Sequence, residues 1–74
     1  MCENGAKKAT YKVVRVLPNR SYIVWEHQYG AAVNEYVAYE RGDNLILYPK
    51  RKLIPSSLAL EKRTISIHDT KRGF

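Results

Sequence analysis

Cysteine is nearly absent: Cys2 stands alone among 74 residues. One chain can therefore form neither a disulfide nor a multi-thiolate metal site, and a reducing compartment is expected. Long apolar runs are missing too. None approaches the ~20 residues that span a bilayer, and the first residues lack the apolar centre of a secretory leader. A cytoplasmic protein without membrane contact is the expectation. No glycine-rich phosphate loop, serine nucleophile elbow or paired-carboxylate arrangement occurs. His27 and His68 have no Cys or second His at ligand spacing. Neither a metal, another cofactor nor enzymatic activity is expected. At 74 residues there is also little chain from which to build a deep cleft.

Acidic residues are the remaining scarcity, seven against thirteen Lys and Arg, for a formal net charge of +6. The excess is uneven. Residues 1–49 carry six basic and five acidic side chains, whereas residues 50–74 carry seven and two. Such a field attracts nucleic acid or an acidic protein surface. Lys50, Arg51, Lys52, Lys62 and Arg63, followed by Lys71 and Arg72, are the candidates for neutralising phosphates or an acidic partner.

What is present is strand-forming sequence. Residues 1–9 lack periodicity and read as a flexible arm, with Lys7 and Lys8 as a second candidate contact. From Thr10, a β-branched run reaches Leu17 and stops at Pro18-Asn19-Arg20-Ser21, a tight-turn composition. Tyr22-Ile23-Val24-Trp25 completes a hairpin. Residues 26–32, interrupted by Gly30, read as a loop or bulge. Val33 to Tyr39 alternates, with Val33, Glu35, Val37 and Tyr39 on one face and Asn34, Tyr36 and Ala38 on the other. Arg41-Gly42-Asp43 spells an adhesion tripeptide, but a turn over Arg41-Gly42-Asp43-Asn44 accounts for it. Leu45 to Tyr48 reads as a strand stopped by Pro49. Ser56 to Lys62 predicts one or two helical turns, Thr64 to His68 a last strand, and residues 69–74 a tail. One mostly β domain over residues 10–68 follows, a small antiparallel sheet or partly open barrel of four to five strands between flexible termini.

Six Tyr and one Trp are many amphipathic rings for this length. Tyr and Trp give large contact area at low entropic cost, and on strands they also stack bases. Tyr11, Tyr22, Trp25, Tyr36 and Tyr39 are the partner-binding candidates, each either filling the core or meeting a partner.

Two resemblances add to this reading. Val16-Leu17-Pro18-Asn19 with Tyr22-Ile23-Val24, and Arg41-Gly42-Asp43-Asn44-Leu45-Ile46-Leu47, resemble the first hairpin and the Gly-Asp element before a strand in translation initiation factor one and S1-type OB modules. That resemblance implies single-stranded RNA binding. The whole chain, in its size, its strand-turn-strand from Tyr11 to Trp25 and its basic C-terminal third, resembles small regulators made by lytic phages of Xanthomonas. That resemblance implies a monomer that binds the largest subunit of bacterial RNA polymerase in the host cytoplasm, inhibits promoter initiation and promotes antitermination. Protein docking predicts exposed aromatic and aliphatic side chains rimmed by charge. RNA binding predicts aromatics and cations on one sheet face. Acids next to rings in sequence, Glu26 beside Trp25 and Glu35 beside Tyr36, favour the protein partner.

Overall fold

The computed structural model describes residues 9–72. Six strands carry most of them: β1 (Thr10–Val16), β2 (Ser21–Gln28), β3 (Ala31–Arg41), β4 (Asn44–Lys52), β5 (Arg63–Ser66) and β6 (Thr70–Arg72). They form one sheet in the order β5-β4-β3-β2-β1-β6. Neighbours are antiparallel except β1 and β6, which run parallel. The expected mostly β, antiparallel fold is the observed one, with strands longer than their composition announces.

The turns explain the extra length. Tyr29 and Gly30 alone join β2 to β3, with φ of +54° and +80°. Two positive φ values in a two-residue loop match the right-handed twist of the flanking strands. Gln28 therefore pairs with Ala31 and His27 with Ala32, so the loop expected over residues 26–32 shrinks to its tip. Gly42 and Asp43 turn β3 into β4, and Pro18–Arg20 make a 3-10 turn between β1 and β2. β4 continues past Pro49 because a bulge follows at Lys50, where a missing ladder donor costs little.

Two expectations for the C-terminal third are corrected. Residues 56–62 form an irregular loop rather than helical turns. A short segment holds a helix poorly by itself, and here the sheet takes its carbonyls. Lys52 Nζ donates to Ser56 O and Leu58 O, and Arg63 Nη2 donates to Ala59 O. The expected tail contains a strand, since Thr70–Arg72 pairs with Tyr11–Val13.

That pairing dictates the curvature. In a flat sheet, six strands at ~4.8 Å spacing would put the edges about 24 Å apart. Yet β5 and β6 sit on opposite edges with only the 3-10 turn Ile67–Asp69 between them, and a connection that short spans at most about 14 Å. The sheet must curl into a partly open barrel. Three single-residue bulges, at Val14, Val33 and Lys50, supply local twist for it. The turn is itself anchored: Ile67 N donates to Asp43 O, and Thr70 Oγ1 donates to Ile67 O, each at 2.8 Å.

The curl separates two faces. Inside, Val13, Val24, Tyr36, Ala38, Leu45 and Leu47 form the core, with Tyr11, Tyr22, Leu60, Ile65 and Ile67 packed against it. Among this apolar set lies Glu26, fully buried. Its carboxylate accepts from Tyr11 OH at 2.6 Å, Asn34 Nδ2 at 2.7 Å and Tyr36 OH at 3.0 Å. Arg63 Nε completes the cluster 2.9 Å from Glu26 Oε2. A buried charge persists only when paired and bonded in this way.

Candidate binding groove

The outer face holds an open groove of about 530 Å³, lined by Val14, Arg15, Leu17, Ile23, Trp25, Glu35, Val37, Lys50 and Arg51. Register explains its composition. Trp25 pairs with Glu35, Ile23 with Val37, and Glu35 with Arg51, so these side chains share one face. Strict alternation would allow only every second residue of a strand onto that face. The bulges at Val14 and Lys50 break the alternation, so Val14 and Arg15 both line the groove, as do Lys50 and Arg51. Two bulges thus put adjacent side chains at one site, an apolar floor beneath three cations.

Glu35 is the one carboxylate in the groove, and it is 7 % exposed. It accepts from Trp25 Nε1 at 3.2 Å and from Arg51 Nε at 2.6 Å. Burial disfavours its charge. The hydrogen bonds from Trp25 and Arg51, with the positive charges of Arg51 and Lys50, outweigh burial and hold the carboxyl below its ordinary value. The acid therefore stays ionised, fixes the indole edge and offsets one cation. Lys12 pairs with Trp25 on the same side. The Trp25 and His27 ring centroids lie 6.4 Å apart.

The partner-binding candidates divide between the faces. Trp25 lies in the groove, and Tyr39 stands exposed on the same side two residues beyond Val37. Tyr36 is wholly buried, and the half-buried Tyr11 and Tyr22 pack on the core. Tyr22 OH donates to Glu40. Lys7 and Lys8 lie outside the described residues.

The basic candidates divide as well. Lys50 and Arg51 border the groove, and Lys62 Nζ sits 5.3 Å from the Tyr48 ring centroid on the outer side. Lys52 is engaged with the loop carbonyls, and Arg63 is the core partner of Glu26. Of the two acids that argued against phosphate, Glu26 points into the core, and Glu35 stays against the Trp25 indole with its charge paired to Arg51. Sequence reading missed Arg15, Val14 and Tyr48. Tyr48 carried a signal in its place on the strand, whereas Arg15 needed a bulge that composition does not announce. Among the described residues, no helix is long and apolar enough to cross a membrane. No protein-family model, curated protein or solved structure matches the chain.

Proposed function

We propose that the chain is a non-catalytic module that binds single-stranded RNA across the outer face of its sheet. The observation that carries this reading is the groove itself, where Trp25 and the cations Arg15, Lys50 and Arg51 converge around one neutralised acid. Stacking on an aromatic face tolerates any base, and cations beside it track the phosphates.

A second reading has one observation in its favour. Val14, Leu17, Ile23 and Val37 give the groove an apolar floor inside its basic rim, which is also the anatomy of a protein interface. On that reading the chain is a transcription regulator docking on bacterial RNA polymerase. Trp25 is the sole tryptophan, so its fluorescence separates the two. Oligouridylate is expected to quench it, with a binding constant falling by about 0.7 log units per log unit of salt for each phosphate contacted. An unchanged emission, together with co-elution with RNA polymerase at about 0.15 M salt, rejects the RNA reading.

A further inference from the structure

The groove occupies only part of the outer face. One row further along, Val37 pairs with Tyr48, and the next row pairs Tyr39 with Ile46. Tyr39 and Tyr48 are 46 % and 43 % exposed, large apolar rings that the core does not use. They meet edge to face, with centroids 5.7 Å apart at 71°. Lys62, from the loop before β5, holds its ammonium over the Tyr48 ring. Ring pairing and the cation–π contact both keep this cluster in place at the surface.

Resting on the RNA reading, we propose that Tyr39, Tyr48 and Lys62 form a second nucleotide subsite, joined to the Trp25 groove as one diagonal track for a single strand of at least three to four nucleotides. Sheet geometry sets the length. Trp25 on β2 and Tyr48 on β4 lie two strands and one row apart, about 10 Å across and 7 Å along, hence about 12 Å between their backbones. An extended strand covers that span in about two nucleotides, leaving one base at each aromatic end. Lys50 and Arg51 border the groove on β4, the strand that also carries Tyr48, placing cations where the intervening phosphates pass. Lys62 meets the backbone at the far end. Charge complementarity selects the occupant: the strands β1 to β4 present Lys12, Arg15, Lys50 and Arg51 on this side against the single paired acid Glu35.

The test is a length series. Oligouridylates of two and five nucleotides are titrated into the unaltered chain and into Tyr39→Ser/Lys62→Gln, following the Trp25 indole signal by NMR, with thermal melting confirming that both proteins are folded. The five-nucleotide strand is expected to lose about tenfold in affinity in the variant, the worth of one stacked base. The dinucleotide, which reaches only the groove, is expected to bind both proteins alike. Equal losses at both lengths, or no loss at either, overturn the second subsite while leaving groove binding in place. No binding of either strand by the unaltered chain overturns the RNA reading and the subsite together. Oligoaspartate of equal charge competing as well as the pentanucleotide assigns the track to an acidic protein segment and overturns the proposal.

Discussion

The two faces of this sheet hold the same pair, a glutamate and an arginine, in different surroundings. Glu26 and Arg63 meet on the inner face with side-chain exposures of 0 % and 23 %, whereas on the outer face Glu35 and Arg51 stand at 9 % and 67 %. The inner carboxylate has donors on every side, and its arginine comes from a strand that would otherwise be a loose edge. The outer one shares its arginine with solvent. Burial decides which pair is structure and which is adjustable surface.

The comparison breaks most visibly at the arginines. Arg63→Ala leaves a buried carboxylate without its cation and is expected to cost about 3 kcal/mol, whereas Arg51→Ala costs less than about 1 kcal/mol. Urea unfolding of the two variants checks the ranking. For a domain of this size each kcal/mol moves the melting temperature by about 4–8 °C, so Arg63→Ala is expected to melt more than about 10 °C lower. Equal losses would mean that the faces do not differ in the way the burial implies.

The opposite asymmetry is expected in binding. Arg15→Gln with Lys50→Gln is predicted to leave stability within about 0.5 kcal/mol. It should lower RNA affinity and flatten the salt dependence by about 0.7 for each phosphate that is no longer neutralised. Fluorescence titration at two or more salt concentrations reads both.

Acid and alkali sharpen the contrast. Glu35 titrates below its ordinary value of 4.5 when folded, so the unfolded chain takes up its proton first as the pH falls. Its contribution is present above pH 4.5 and is lost as the pH drops through the lower folded value. Glu35→Gln should remove that acid-side slope. Tyr11 behaves oppositely. Burial, then its hydrogen bond to Glu26 and that residue's charge, push the phenol above its ordinary 10.0. The unfolded chain deprotonates first, so this stability is present below pH 10 and declines as the pH rises through the folded value. Melting curves of Tyr11→Phe should show a shallower alkaline decline, the remainder coming from Tyr36, whose phenol burial also raises. Gly30→Ala tests the turn itself: a Cβ there meets nothing within 4 Å but must take a φ of +80°, at a cost of about 1 kcal/mol.

Much of the inner face was legible. Alternation along Val33 to Tyr39 placed Asn34, Tyr36 and Ala38 together, and all three are fully buried. Gly30 and Gly42 marked real turns, because positive φ is a local demand that a single residue announces. The groove was half legible: Trp25 and the Lys50-Arg51 pair stood out by composition. Arg15 did not, because its arrival beside Trp25 depends on an extra residue in β1 that no local preference encodes. Arg63 looked like part of a solvated basic patch for the same reason, since its partner Glu26 lies far away in sequence and meets it only after the sheet curls. β6 was hidden because its pairing with β1 is long-range and parallel, held by three residue pairs.

Methyl NMR during an RNA titration tests the division of labour between the faces most directly. The methyl signals of Val14, Ile23 and Val37 and the indole of Trp25 are expected to shift on addition of pentauridylate, while those of Val24, Leu45 and Leu47 stay in place. Shifts confined to the core methyls, or none anywhere, would contradict it.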